Sequence, residues 1–180
     1  MKLKDKVVVI TGSTRGIGRA IAEECAKEGA KVVICSRHDR SVQETCESLK
    51  RQGFDVSGLA ADVSVWADLE KLLQYAIQTY EKVDVWINNA GLSGGMRPLD
   101  EWNENEITQI VNVNFLGTLK ACRLIIPYFI REDGGILINI SGRGGRCEAS
   151  PFMAAYASTK AAVSSLTKSL AREYREYPIS

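Results

Sequence analysis

Short apolar runs alternate along the chain with segments whose apolar positions follow a helical period. The runs at residues 6–10, 30–35, 56–60, 83–88 and 135–140 are rich in valine and isoleucine. They are apolar on both faces, which is typical of parallel strands buried in the middle of a sheet. We therefore predict five parallel strands.

Five helices are predicted between and after these strands, at residues 16–28, 41–53, 64–80, 104–130 and 154–176. Ser41 and Glu44 form a capping-box pattern for the second helix, and Ser64 is the predicted cap of the third. Pro127 is expected to disturb the last turn of the fourth. The alternation of strands and helices predicts βαβ units with right-handed crossovers, and hence an α/β fold.

The composition is that of one globular domain. The chain has 180 residues, of which 45% are hydrophobic and 25% charged, and its net charge is +1. This balance argues against nucleic acid or an anionic membrane surface as the main partner. The apolar run at Val7–Ile10 is too short for a secretory signal or a membrane span. Five cysteines without a C-x-x-C pair predict reduced thiols, and hence the cytoplasm or an organelle stroma.

A single histidine, His38, is present, and it lies between Arg37 and Asp39. These neighbours suggest neither a Ser-His-Asp triad nor a histidine-rich metal site, and we predict no metal. Any proton chemistry is expected to use another side chain.

The first predicted strand leads directly into a glycine loop, TGSTRGIG, at residues 11–18. Glycines in such a loop allow a sharp turn and a close approach of the backbone to a ligand. The following helix offers free N–H groups and the positive end of its dipole to a pyrophosphate. We therefore predict a dinucleotide site, which draws on Gly12, Ser13, Thr14, Arg15, Gly16, Ile17 and Gly18.

Three motifs together identify a family resemblance. The glycine loop has the spacing G-x-x-x-G-x-G, and it is followed by NNAG at residues 88–91 and YASTK at residues 156–160. This combination resembles the short-chain dehydrogenase/reductase family over essentially the whole chain. The resemblance implies a single Rossmann-like domain at residues 1–180, with a doubly wound parallel sheet in the order 3-2-1-4-5 and helices on both faces. It also implies hydride transfer between a nicotinamide cofactor and a carbonyl compound or an alcohol.

The end of the second strand favours NADP over NAD. Ser36 and Arg37 stand where an acidic residue would grip the ribose of NAD, and Arg15 lies in the glycine loop. Two guanidinium groups suit a 2′-phosphate, although both could also be solvated surface charges, and Asp39 keeps NAD open. By resemblance, Asp62 and Val63 border the adenine, Asn89 and Ala90 line the nicotinamide ribose, and Gly91 also belongs to the cofactor site.

Tyr156 and Lys160 are four residues apart, so they share one face of a helix. By resemblance, Tyr156 is the general acid/base. Lys160 lowers the pKa of the phenol and holds the nicotinamide ribose. Asn114 is implied to support a proton-relay water near the lysine.

The substrate-orienting serine departs from the family pattern, because Ser141 is followed by Gly142 and the common spacing from Tyr156 falls near Arg143. We assign the role to Ser141. Alternatively, Ser141 is a turn serine whose hydroxyl bonds to its own backbone. Segments 92–99 and 142–153 are expected to face a small-molecule carbonyl or alcohol substrate. Their arginines, Arg97, Arg143 and Arg146, either attract an acidic substrate or are solvated. Both segments are locally similar to the chlorophyll b reductase branch of the family.

In the family, a segment like residues 170–180 leads into a sixth strand, a substrate lid and a seventh strand. Without them, residues 135–140 are expected to form an exposed apolar edge strand. Full-length relatives are commonly homo-oligomers. Two functions are compatible with this reading: an NADP(H)-dependent carbonyl reductase, and a dinucleotide-binding module without turnover.

Overall fold

One parallel sheet of five strands organises the chain, in the order β3-β2-β1-β4-β5. In the computed structural model, which describes residues 1–180, the strands are β1 (Val7–Ile10), β2 (Lys31–Ser36), β3 (Val56–Ala60), β4 (Val85–Asn88) and β5 (Ile136–Asn139). Strand β1 is central, since Val8 pairs with Val32 on one side and with Val85 on the other. The predicted fold class and strand order are confirmed, and the order reverses at β1, where open α/β sheets bind their ligands.

Helices cover both faces of the sheet. They are α1 (Gly16–Lys27), α2 (Asp39–Lys50), α3 (Trp66–Tyr80), α4 (Glu104–Val111), α5 (Gly117–Arg131) and α6 (Ala154–Glu173). Alternate residues of β1 point to opposite faces: Val8 packs with the side chains of α1 and α2, and Val9 packs with those of α3 and α5. Two buried apolar layers, one on each face, therefore fix the position of the sheet relative to the helices.

The predicted caps of α2 and α3 are wrong. Helix α2 begins at Asp39 and its N-cap residue, His38, makes no side-chain cap bond. Ser64 lies outside α3 and donates its hydroxyl to Asp62 Oδ1 at 2.7 Å. A capping box does form at α4, between Asn103 and Glu106. Several polar residues near a helix start fit the pattern, and contacts with the preceding turn decide which of them caps.

The predicted long helix is continuous from Glu104 to Arg131, but its irregularity is not at Pro127. Pro127 lies inside α5, whose buried face includes Ile125 and Phe129. The irregularity is a π-helical turn at Asn112–Leu116 between α4 and α5. By length and hydropathy alone this helix could span a membrane, yet half of its most apolar window is buried in the fold. We interpret it as a core helix.

Strand β5 is only partly the exposed edge that we predicted. Ile136 and Ile138 on one of its faces are 43% and 40% exposed, respectively. Its backbone, however, is paired with the end of the chain: Leu137 N donates to Ser180 O at 2.8 Å, and Ser180 N donates to Gly135 O at 3.0 Å. Residues 178–180 therefore cover the start of this edge through backbone bonds.

Candidate active site

A cleft of about 480 Å³ lies at the carboxyl ends of the central strands. It brings together every predicted cofactor residue except Ser13. These are Gly12, Thr14, Arg15, Gly16, Ile17, Gly18, Ser36, Arg37, Asp62, Val63, Asn89, Ala90, Gly91, Tyr156 and Lys160. Ser141 also lines the cleft. Segments far apart in the sequence therefore meet at one cavity, as the strand order requires.

The glycine loop is packed directly against the start of the NNAG segment. Gly12 has φ +63°, and a Cβ atom there would lie 2.7 Å from Ala90 Cα. Asn89 Nδ2 donates to the carbonyl oxygens of Thr11 and Gly12, both at 2.9 Å. A Cβ atom on Gly18 would collide with the same Asn89 amide. The sequence predicted Asn89 as a cofactor residue but gave no sign that it braces the loop.

The N-terminus of α1 faces the cleft with free backbone donors. The N–H groups of Gly16, Ile17 and Gly18 have no acceptor in the protein, and the first turn contains no acidic side chain. No capping side chain covers this end, because Arg15 at the N-cap makes no cap bond. Unpaired amides at the positive end of a helix dipole fit a pyrophosphate, so this loop suits a dinucleotide.

Ser13 and Asp62 have polar partners within the protein. Ser13 is fully buried; its hydroxyl donates to Ile10 O at 2.6 Å and accepts from Cys35 N at 3.1 Å. The side chain of Ser13 therefore links β1 to β2 instead of lining the cleft. Asp62 does line the cleft, although its Oδ1 accepts from both the N–H and the hydroxyl of Ser64.

Arg15 and Arg37 line the part of the cleft formed by the glycine loop and the residues just after β2. Both side chains are exposed and neither forms an ion pair. Asp39 does not line the cleft, and its carboxylate accepts from Gln43 Nε2 at 2.5 Å. This part of the cleft is therefore cationic without a competing carboxylate from the predicted NAD-selecting region.

Lys160 is buried beside Tyr156 on the first turns of α6. Only 4% of Lys160 is exposed, and its Nζ donates to Ile140 O at 2.8 Å. That ammonium lies 5.8 Å from the centre of the Tyr156 ring. Burial raises the pKa of the Tyr156 phenol and lowers the pKa of the Lys160 ammonium. Burial is thus the cause that shifts the phenol pKa in the protein itself, and the lowering of that pKa by Lys160 stays a prediction for the complex with the cofactor.

Asn114 lies behind the cleft, not in its lining. It is fully buried in the π-helical turn; its Oδ1 accepts from Leu92 N at 2.7 Å, and its Nδ2 donates to Leu92 O at 2.9 Å and Thr159 Oγ1 at 3.1 Å. The Thr159 hydroxyl in turn donates to Tyr156 O at 2.7 Å. The side chain of Asn114 thus connects the segment after β4 to the first turn of α6.

Two contacts describe the surroundings of Ser141 and Gly142. Ser141 lines the cleft, and its hydroxyl lies 2.9 Å from the Ser164 hydroxyl on α6. A Cβ atom on Gly142 would collide with the Tyr156 hydroxyl. A serine at position 142, the second position of the common family pair, would therefore displace the Tyr156 hydroxyl from its position here.

Arg97 has a structural environment that neither alternative anticipated. Its guanidinium stacks 4.1 Å from the Trp102 ring centre, and one of its terminal nitrogens lies 2.6 Å from Glu106 Oε1. The backbone N–H of Arg97 donates to Phe152 O at 2.9 Å, and this bond joins the two predicted substrate segments. Arg143 and Arg146 are exposed and form no ion pair.

Sequence reasoning missed several residues of the cleft lining. These are His38, Ser41, Ala61, Val113 and Ile140, whereas Leu92 and Ser93 belong to the predicted substrate segment 92–99. Most of them lie one to five residues beyond a strand end or a predicted motif, so proximity to the carboxyl end of a parallel strand was the available signal.

Comparison with known proteins relates the chain to a large family of oxidoreductases. The family model for short chain dehydrogenases matches residues 6–180. A chloroplastic chlorophyll(ide) b reductase of Arabidopsis thaliana is 39% identical over 169 residues, covering 92% of this chain and 49% of the relative. The L-fucose dehydrogenase of Oryctolagus cuniculus is 36% identical, covering 97% of this chain and 59% of that protein. The chain spans about half the length of the curated chlorophyll(ide) b reductases that share 38–39% identity with it.

Solved structures agree with this relationship. A short chain dehydrogenase/reductase from Burkholderia phymatum, in complex with NAD, superposes with a TM-score of 0.93 at 30% identity, over 100% of this chain and 64% of that one. An actinorhodin polyketide ketoreductase with NADPH superposes with a TM-score of 0.91 at 28% identity, over 97% of this chain and 67% of that one. The chain therefore belongs to the short chain dehydrogenase family.

Proposed function

We propose that residues 1–180 form one dinucleotide-binding domain of an NADP(H)-dependent oxidoreductase, which transfers a hydride between nicotinamide and a carbonyl compound or a secondary alcohol. One observation supports this most: a single cleft holds the free amides of α1 and two unpaired arginines together with Tyr156 and Lys160. Such a cleft can hold a phosphorylated dinucleotide and place a proton donor beside the same ligand. Family membership supports the same reaction class.

Each part of the cleft has a separate task in this proposal. The amides of Gly16, Ile17 and Gly18 receive the pyrophosphate, and Arg15 and Arg37 hold the 2′-phosphate of NADP. When bound, the nicotinamide supplies or accepts the hydride. Tyr156 donates a proton to the carbonyl oxygen during reduction, and its raised pKa keeps the phenol protonated at neutral pH. Lys160 contributes positive charge and hydrogen-bond donors at the ribose.

Ser141 can still orient the carbonyl despite its bond to Ser164. A hydroxyl donates one hydrogen bond and accepts up to two. If Ser164 donates to Ser141, the hydrogen of Ser141 remains free for the substrate oxygen. In this arrangement, the hydrogen bond from Ser164 orients the hydroxyl of Ser141 toward the substrate.

Replacing Ser141 with alanine is expected to lower kcat by roughly 10- to 100-fold, the loss expected for one hydrogen bond to a developing charge. Ser164→Ala is expected to lower kcat less, because Ser141 keeps its hydroxyl but loses the partner that directs it. Steady-state kinetics of both variants measure this. A kcat of Ser141→Ala within twofold of wild type would exclude the assignment.

The cofactor preference depends on Arg37 in this proposal. Arg37→Ala is expected to lower kcat/KM for NADPH by roughly 10- to 100-fold, since it removes a charge-assisted contact. The value for NADH should stay within about threefold of wild type. Arg40→Ala is a matched control, because Arg40 is also exposed but pairs with Glu44 on α2. An unchanged NADPH/NADH ratio in Arg37→Ala would contradict the role of Arg37.

The function itself is tested in two steps. Titration with NADPH, followed by nicotinamide fluorescence, tests dinucleotide binding. A panel of carbonyl compounds tests turnover, with chlorophyllide b included because chlorophyll(ide) b reductases are among the relatives. Binding without turnover on any substrate would favour the binding module instead. The chloroplastic location named for those relatives supports an organelle stroma as the compartment.

A further inference from the structure

A tight turn at residues 142–148 follows Ser141 directly and packs against the start of α6 beside Tyr156. Its backbone is folded by two bonds, from Gly145 N to Gly142 O and from Cys147 N to Gly144 O, both 2.9 Å long. Cys147 has φ +64°, a left-handed conformation that a non-glycine residue adopts only when its surroundings require it. Some interaction must therefore hold this turn in shape.

The carboxylate of Glu148 provides that interaction. Glu148 Oε1 accepts from Gly144 N at 2.6 Å, and Oε2 accepts from Arg146 N at 2.9 Å. One side chain thus binds two amides of the turn that precedes it. Hydrogen bonds from the Glu148 N–H and from those of Gly144 and Arg146 hold the pKa of this carboxyl below its ordinary value, as expected for a carboxylate bound by amides.

The turn is in direct contact with the first turn of α6. Gly144 is buried, and a Cβ atom there would collide with Ala157, the residue after Tyr156. On the same side, Gly142 leaves no room for a side chain beside the Tyr156 hydroxyl. The two glycines therefore let the backbone of the turn approach Tyr156 and Ala157 closely.

We propose that Glu148 is a positioning residue, which fixes the 142–148 turn against α6 and so sets the location and desolvation of the Tyr156 hydroxyl. The catalytic part of this proposal rests on the proposed function. Glu148 itself touches neither Tyr156 nor any group that we assign to the reaction. Its effect is transmitted through Gly142 and Gly144.

Glu148→Ala is expected to release the turn. Trypsin should then cleave faster after Arg143 and Arg146, which are exposed on the turn. Nitration of Tyr156 by tetranitromethane, followed by peptide mass spectrometry with Tyr174 as the internal reference, should accelerate severalfold. With p-nitrobenzaldehyde and NADPH, kcat should fall by roughly 10- to 100-fold, because a displaced proton donor is costly. The Kd for NADPH should stay within about twofold of wild type.

Two further variants separate positioning from a general loss of structure. Glu148→Gln keeps one acceptor oxygen, so it should restore part of the protection and part of kcat. Glu101→Gln removes the same charge from the neighbouring 3₁₀ turn Leu99–Glu101, where the carboxylate has no hydrogen bond, and should match wild type. Equal nitration and cleavage rates in wild type and Glu148→Ala would overturn the proposal without any activity measurement. Faster nitration with an unchanged kcat would overturn its catalytic part. If wild type reduces no carbonyl compound, the proposed function fails, and nitration still decides whether Glu148 sets the exposure of Tyr156.

Discussion

A Tyr156→Phe variant is expected to bind NADPH like wild type and to reduce carbonyl compounds roughly 10²- to 10⁴-fold more slowly, the usual range for losing a general acid. The change removes one oxygen, and the Tyr156 hydroxyl makes no hydrogen bond within the protein. The phenylalanine ring should therefore occupy the same place without loss of stability. Single-turnover kinetics measure the rate, and fluorescence titration measures the binding.

The pH dependence provides a second readout of the same role. Reduction requires the protonated phenol, and burial raises the pKa of Tyr156 above its ordinary value of about 10. For wild type, kcat/KM for reduction should therefore stay flat through neutral pH and fall only above about pH 10. A Tyr156→Phe variant with wild-type kcat would remove Tyr156 from the mechanism. A wild-type profile that falls with a pKa near neutrality would contradict a phenol whose pKa stays raised during the reaction.

Replacing Lys160 with methionine is expected to lower kcat by roughly 10²- to 10³-fold, the range for deleting one preorganised charge stabiliser. The free energy of unfolding should change by no more than about 1 kcal/mol at neutral pH. The reason is that wild type buries an ammonium with one backbone acceptor, Ile140 O, and no carboxylate partner. Methionine fills similar space and avoids that desolvation, which offsets the lost hydrogen bond. Urea unfolding and steady-state kinetics measure the two effects.

The free energy of unfolding should also depend on pH differently in wild type and in Lys160→Met. Because burial lowers the pKa of Lys160, the unfolded chain binds the proton more tightly than the folded one. The free energy of unfolding of wild type should therefore rise with pH as the pH passes from the lowered pKa toward the ordinary value of about 10.4, and Lys160→Met should lose this rise. Lys168→Met is the control, since Lys168 is exposed on the same helix. A Lys160→Met variant that is destabilised by more than about 2 kcal/mol at neutral pH would contradict this account of the buried charge.

The sequence predicted the parallel sheet and the convergence of its motifs because these follow from periodic patterns, whereas the strand order was implied by the family resemblance. Buried parallel strands such as Val7–Ile10 are recognisable by their composition, and parallel topology places their carboxyl ends at one edge. The role of the glycine loop could also be predicted from the sequence. Three glycines between a strand and the start of a helix are typical of a dinucleotide-binding loop. These inferences concern where the main chain goes.

The sequence did not reveal where individual side chains point. The side chain of Ser13 lies in a predicted cofactor motif but bonds to β1 and β2, and Arg97, for which substrate contact and solvation were both open, stacks on Trp102. In each case the partner is brought in by the fold. A rotation about one bond decides between the two outcomes, and its energy depends on neighbours that no local pattern specifies.

Because of the π-helical turn at Asn112–Leu116, the number of residues in the helix determines how Asn114 and α4 are oriented. In an α-helix, one residue corresponds to a rotation of about 100°. The extra residue in this turn lets α4 pack against α6 while α5, in the same continuous helix, packs against α3. Removing one residue here would rotate Asn114 and the whole of α4 relative to α5, even if every side chain were kept. For this segment, insertions and deletions are therefore a more severe perturbation than substitutions, and the phase of the helix must be preserved when it is redesigned.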